Sequence, residues 1–316
     1  MLNRIHTFSQ QHNLLPKGST IVLGLSGGPD SVFLLHFLVP MHHAGTITLV
    51  AAHLDHQWRP ESAADADWCL DIAQQLGIAC IVGRLSDFND AIPWNGSKEE
   101  LGRRARRLFL ERTAHQYNAT RIALGHHAQD QQETFFIRLV RGATLSGLTG
   151  MKPLSGQYIR PLLDISKAAI VAYLDNHGIA YLNDSSNNSA DYLRNRIRHN
   201  VLPELQTADP RFDQNFKKTV TRLQATQDYL DEQTALALAD ISTHDNGVHR
   251  INTAQLLGLH PVMQQQIIIT WLIAHHVPFT PSESFFKEIL RFVAQSGSGI
   301  HAIHSGWSLV RKKEWL

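Results

Sequence analysis

Residues Ser26, Gly27, Gly28, Pro29, Asp30 and Ser31 form a polar hexapeptide between two apolar runs, TIVLGL before it and VFLLHFL after it. A glycine-rich turn from a buried strand into a helix presents several backbone N–H groups at a helix N-terminus, where anions are favoured. Glycine also lets the backbone approach a ligand closely. The loop lacks the Gly-Lys-Ser/Thr ending that grips β/γ-phosphates, and it is not the dinucleotide pattern G-x-G-x-x-G. Two serines and an aspartate exceed what a purely structural turn requires.

A second constellation is Gly125, His126, Asp130 and Glu133. A predicted strand, Arg121–Leu124, precedes it, and a predicted helix, Gln129–Val140, carries its acids. These side chains therefore fall at the carboxyl edge of the sheet, where open α/β sheets bind ligands. His126 and Asp130, four apart, share a helix face if the helix already includes His126. A metal pair there has no third ligand, which favours a hydrogen-bonded pair. A third group is Arg194, Arg196 and Arg198, whose planar guanidinium forks suit phosphate recognition. Further bases cluster at Arg103, Arg104, Arg106 and Arg107, and at Arg211, Lys217, Lys218 and Arg222. Each cluster reads either as part of a phosphate-binding stripe or as a solvated helix face. Arg141 opens a glycine-spaced stretch to Gly150 that reads as a loop over the site or as a plain connection. Trp58 and Trp94 are candidates for stacking on a base, with a packing role as the plainer alternative.

The elements that must position these residues alternate. Strand patterns at Ile21–Leu25, Ile47–His53, Ala79–Leu85 and Arg121–Leu124 are separated by helical patterns near Asp30–Leu38, Ser62–Leu76 and Lys98–Tyr117. This rhythm predicts an α/β fold, a Rossmann-like, doubly wound, mostly parallel sheet covered on both faces. A helix at Ser166–His177 opens on Ser166 as its cap. The rhythm then stops. Pro210–Ala239 reads as one long polar helix, Leu256–His275 as another, and Ile300–Val310 as short closing strands. The expected domains are 1–209, catalytic, and 210–316, smaller and mainly helical. With 316 residues, two domains are expected. No window reaches a membrane span, and the N-terminal MLNRIHTFSQQHNLL is an amphipathic helix pattern without the apolar core of a signal peptide. The two cysteines, Cys69 and Cys80, have no metal or redox spacing. A cytoplasmic protein with no membrane partner is the expectation, with the oligomeric state open and a homodimer one option.

Ser-Gly-Gly-x-Asp-Ser after a first strand resembles the signature of the N-type ATP pyrophosphatases, the PP-loop superfamily. Further blocks resemble the tRNA(Ile)-lysidine synthetases. His53, Asp55, His56, Arg59 and Ser62 follow the pattern H-x-D-H-x-x-R-x-x-S. Glu100, Arg104 and Arg107 follow E-x-x-x-R-x-x-R-Y, with Leu108 in place of the tyrosine. Leu124 to Met151 follows G-H-H-x-D-D-Q-x-E-T…R-G-x-x-L-x-G-L-x-G-M, with Gln129 where the first aspartate of the pair stands. Residues 159–205 follow R-P-L-L…D-x-S-N…R-N-x-I-R…L-P. The length suggests that family's short form.

The resemblance implies ATP-dependent ligation of L-lysine onto the wobble cytidine of the CAU-anticodon tRNA(Ile), through an adenylated cytosine. It implies ATP held by Ser26–Ser31, His53, Asp55, Gly125 and His126. Asp30, Asp130 and Arg194 are the expected catalytic residues, with Mg²⁺ on Asp30 and Asp130. Lysine or tRNA is expected at Glu100, Arg104, Arg107, Glu133, Arg141, Arg196, Arg198, Lys217 and Lys218, and tRNA on the helical domain. Two alternatives stand beside it. A tRNA thiolation enzyme would share the adenylate chemistry but generally carries reactive cysteines or an iron–sulfur site. A catalytically silent tRNA-binding homologue would be consistent with Gln129.

Overall fold

The computed structural model describes residues 1–88, 91, 97–183, 193–245, 248–280 and 282–316. Trp94 and the Asp184–Asn187 part of the matched sequence lie outside the described residues. The chain forms two compact units, Met1–Val220 and Thr221–Leu316.

The first unit runs through helix α1 (Leu2–Gln11), strand β1 (Thr20–Gly24), α2 (Pro29–His43), β2 (Thr48–Asp55), α3 (Ser62–Gln75), β3 (Ala79–Arg84), α4 (Lys98–Gln116) and β4 (Arg121–Ala123). It continues with α5 (Ala128–Val140), the single turn α6 (Leu145–Leu148), β5 (Leu154–Ser155), β6 (Tyr158–Ile159) and α7 (Lys167–Asn176). Next come α8 (Leu193–Arg196), a π-helical turn Ile197–Val201, and α9 (Leu202–Ala208). The first turns of α10 (Phe212–Ile241) complete it. The six strands lie in the order β3-β2-β1-β4-β6-β5, and every pairing is parallel except β5 with β6.

Strand residues alternate between two cores, as the two-residue period of a strand requires. Ile21 and Leu23 of β1, with Leu49 and Ala51 of β2, meet Phe33, Leu34 and Leu38 of α2, Cys69 and Ala73 of α3, and Ile170 and Leu174 of α7. Val22, Val50, Ala52 and Leu54 face the other way, onto Leu101, Ala105, Phe109 and Leu110 of α4. Burial on both faces explains why these strands read as unbroken apolar runs. The sheet grows from β1 toward β3, then crosses back to β4 on the other side of β1. The strand order therefore reverses between β1 and β4, which opens a crevice above their carboxyl ends.

The first unit runs past the Asp209–Pro210 boundary expected from sequence, because the start of α10 is tied to it. Phe212 and Phe216 pack against Phe135 and Phe136 of α5, and Gln132 donates to Asp213 Oδ1 at 2.7 Å.

In the second unit α10 leads into the hairpin β7 (Ser242–Asp245) and β8 (Val248–Ile251). Helices α11 (Thr253–Gly258), α12 (Pro261–Ala274) and α13 (Glu283–Ala294) follow, then the hairpin β9 (Gly299–His304) and β10 (Trp307–Arg311). Ile251, Leu256, Ile267, Leu272, Ile289 and Val293 form its core. The single helix expected over Leu256–His275 is two, because Pro261 starts a new helix capped by His260.

Candidate active site

The loop after β1 is cross-braced by its own serines. Ser31 Oγ donates to the Gly28 carbonyl at 2.9 Å, and so accepts from both the Ser26 N–H and the Ser26 hydroxyl, each at 3.1 Å. Gly27 has φ +81°, and a side chain there would meet Leu182 Cδ1 at 2.6 Å. The Leu182 N–H donates to the Gly27 carbonyl at 2.9 Å, so the strand of chain beyond α7 docks directly on the loop. Gly28 caps α2, with Pro29 in its first turn. Its φ is −69°, and an added Cβ would touch only Ser26 Oγ, at 3.6 Å. The protein itself leaves room at Gly28, beside the unpaired N–H groups of a helix N-terminus, which suits an anion.

The exit of β4 closes on that loop. A Cβ on Gly125 would come within 3.0 to 3.1 Å of the Asp30 and Ser31 backbone. Glycine is what permits this approach. His126 lies before α5, so it does not share a helix face with Asp130. The N-cap is His127, whose backbone N–H donates to Asp130 Oδ2 at 2.9 Å. His127 Nε2 stands 3.4 Å from Asp130 Oδ2 and 3.8 Å from Asp30 Oδ2, which joins the two loops. Lys167 Nζ donates to Asp30 Oδ2 at 2.5 Å. Gln129 lies to the flank, and its side-chain oxygen accepts the Lys167 backbone N–H at 2.8 Å.

Behind this front are the paired acids of α5. Glu133 is fully buried and spends both oxygens on guanidinium groups. Arg194 Nε donates to Oε2 at 2.6 Å, and Arg198 donates to Oε1 at 2.5 Å and to Oε2 at 3.1 Å. Arg194 also reaches Asp130 Oδ1 at 3.1 Å. Burial by itself would raise the Asp130 carboxyl. The imidazoles of His127 and His126, the His127 backbone N–H and Arg194 outweigh it and hold the group below the usual carboxylate range. Burial dominates at His126 and lowers it to about 4, against an opposing pull from Asp130.

Other expected residues sit apart from this front. His53 Nδ1 meets the Leu25 carbonyl at 2.9 Å, and Asp55 accepts the Gln57 N–H at 2.8 Å, so both brace the chain behind the loop. On α4, Arg104 pairs with Glu100 at 2.7 Å and Arg107 with Glu111 at 2.9 Å. Arg141 and Arg196 are exposed. Two of the expected residues are already engaged within the unit. Glu133, expected to meet lysine or tRNA, has both oxygens on Arg194 and Arg198. Lys217 is paired with Asp164, which also holds Arg4 Nε at 2.7 Å, so it braces the unit; Lys218 is exposed.

Sequence reading missed Lys167 and His127. Lys167 had a signal: a cation in the first turn of a helix opposes the dipole there, which calls for an anion nearby. His127 stands in the block that resembles the tRNA(Ile)-lysidine synthetases, next to the expected His126.

Asp30 Oδ1 is buried and has no hydrogen-bond partner among the described residues. Asp30 and Asp130 form a pair of carboxylates that share the His127 imidazole as neighbour. Among the described residues no cluster of three His, Cys, Asp or Glu is built to hold a metal. That donor set fits Mg²⁺, which is commonly held by one or two carboxylates together with substrate phosphates and water. No helix among the described residues is long and apolar enough to cross a membrane.

The PP-loop domain family matches residues 2–205. The chain is 33% identical to the tRNA(Ile)-lysidine synthase of Bacillus cereus over 300 residues, which is 92% of this chain and 63% of that protein. It is 32% identical to that of Bacillus subtilis over 320 residues, 98% of this chain and 67% of the relative. It is 36% identical to that of Geobacter sulfurreducens over 239 residues, 75% of this chain and 49% of the relative. The chain thus spans about 63% of the length of the Bacillus cereus relative. Among solved structures, the U34-tRNA thiolase NcsA from Methanococcus maripaludis, with its 4Fe–4S cluster, superposes with a TM-score of 0.60 at 16% identity. The match covers 70% of this chain and 77% of that one, a likeness of fold.

Proposed function

Because the chain belongs to the PP-loop family and, within it, to the tRNA(Ile)-lysidine synthases, we propose that it uses ATP to join L-lysine to the wobble cytidine of the CAU-anticodon tRNA(Ile). The observation that carries this reading is the meeting of Asp30, His127, Asp130 and Lys167 where the strand order reverses.

In the first step the C2 oxygen of cytosine attacks the α-phosphorus of ATP, and pyrophosphate leaves. Charge builds on the phosphoryl oxygens, and preorganised donors stabilise it. The N–H groups at the start of α2 and the Lys167 ammonium are those donors. Asp30 and Asp130 would hold Mg²⁺, which neutralises phosphate charge when bound. In the second step the lysine ε-amine attacks C2, the C2–O bond breaks and AMP leaves with its oxygen. The amine must lose a proton as it attacks, and we assign to the ionised Asp130 the roles of orienting it and accepting that proton. Arg194 keeps Asp130 charged and placed, with Glu133 and Arg198 fixing Arg194 in turn.

Thiolation finds less support. Burial pushes the Cys69 thiol up to about 12 and the Cys80 thiol up to about 11, so neither supplies a thiolate nucleophile near neutral pH. The test follows products. Pyrophosphate should form from ATP only when the tRNA is present, and AMP release should further require lysine. AMP release that ignores lysine would overturn the assignment.

A further inference from the structure

Trp58 leaves 42% of its surface exposed, on the turn after β2 at the same carboxyl edge as the glycine loop. The turn is firmly built. Gln57 takes a left-handed φ of 55°, donates its N–H to Asp55 at 2.8 Å, and accepts the Ser86 N–H on its side-chain oxygen at 3.0 Å. The His56 ring lies against the Trp58 ring with centroids 4.7 Å apart and planes 22° apart. His56 Nε2 accepts from Arg106 Nη2 at 3.0 Å. The far edge of the indole abuts Gly102 on α4, where a Cβ would come within 2.4 Å of Cη2. A large aromatic gains by burial, yet this one is held from two sides with much of its surface left open.

We propose that Trp58, backed by His56, is a stacking platform for one unpaired base of the RNA substrate. Every base has a π-face, and exposed aromatics beside cationic groups are how single-stranded nucleic acid is gripped. The rim has that charge: Arg103 and Arg106 are exposed on α4, the helix that Trp58 abuts. An anionic strand complements these guanidinium groups, and an apolar peptide does not. The platform rests on the tRNA-substrate reading above.

The test measures binding of an unmodified CAU-anticodon tRNA(Ile) transcript to the full chain across a salt series, together with the KM for ATP. Trp58→Ala should weaken tRNA binding about 10-fold or more, and Trp58→Phe should stay within about threefold of wild type. The slope of affinity against salt should not change, since a stacked base releases no counterions, and the KM for ATP should hold. Undiminished tRNA affinity in Trp58→Ala would overturn the platform while leaving the tRNA reading intact. A raised KM for ATP with unchanged tRNA affinity would place adenine on the ring instead and overturn it too. An altered salt slope would mark displaced arginines and a merely structural tryptophan. No tRNA binding by the wild-type chain would overturn both readings.

Discussion

Lys167 Nζ donates to Asp30 Oδ2 at 2.5 Å across 137 residues of sequence, and Gln129 accepts the backbone N–H of that same lysine at 2.8 Å. One acid of the glycine loop is therefore neutralised from α7, and α7 is registered from the start of α5.

If Lys167 serves phosphate charge, Lys167→Met should cut tRNA-dependent pyrophosphate formation by about 10²-fold, the scale of a lost electrostatic donor. Lys167→Arg should keep part of the activity. Near-normal turnover in the methionine variant would remove Lys167 from the reaction. Gln129→Asp should change turnover by only a few-fold, since a carboxylate also accepts the Lys167 N–H. Gln129→Ala loses that hydrogen bond and about 1 kcal/mol of local order, read as a lower denaturation midpoint.

His126 gives the fold a pH dependence with a definite sign. Its folded-state value is about 4, against an ordinary value of 6.5, because burial disfavours the charged ring. The unfolded chain thus binds the extra proton first as pH falls. Its contribution to stability is complete above about pH 6.5 and is lost progressively toward pH 4. Urea midpoints measured at pH 7.5 and pH 5 should fall with pH, and His126→Gln should shrink that fall. An unchanged pH slope in the glutamine variant would show that His126 is not the group responsible.

Lys217 and Lys218 should separate. Lys217→Ala breaks a pair with Asp164, whose carboxyl burial would raise but Arg4 and Lys217 hold below its ordinary value. It should lower the thermal midpoint. Lys218→Ala should leave stability alone and, if α10 meets tRNA, reduce the salt slope of binding by about one unit. The reverse pattern would contradict the roles assigned to the pair.

Much of the first unit was legible because β1, β2 and β4 carry two-sided apolar runs and the helices between them carry caps such as Ser166, which accepts the Ala169 N–H. The carboxyl-edge placement of Asp30 and Asp130 follows from the same strand–loop–helix pattern. What the sequence hid were partners set by tertiary packing. Lys167 meets Asp30 only because α7 packs against α2. Glu133 is closed by arginines that arrive 61 and 65 residues later. In the second unit, α13 and the β7–β8 hairpin went unread. The strands β7 and β8 have four residues each, too few to show an alternation, whereas α13 does carry a helical period, with Phe286, Ile289, Phe292 and Val293 buried.

In the proposed reaction the loop carrying Asp30 drives adenylation and lysine then captures the adenylated cytosine. The most direct measurement follows isotopically labelled lysine into residue 34 of the CAU-anticodon tRNA(Ile), with pyrophosphate and AMP quantified in the same reaction. Wild type should place one lysine on the cytidine per AMP released. Asp30→Ala should yield neither pyrophosphate nor labelled tRNA while keeping a folded spectrum, and Asp130→Asn should lose at least about 10²-fold in lysine transfer. Full lysine transfer by Asp30→Ala, or ATP cleavage by wild type with no lysine on the tRNA, would contradict the account.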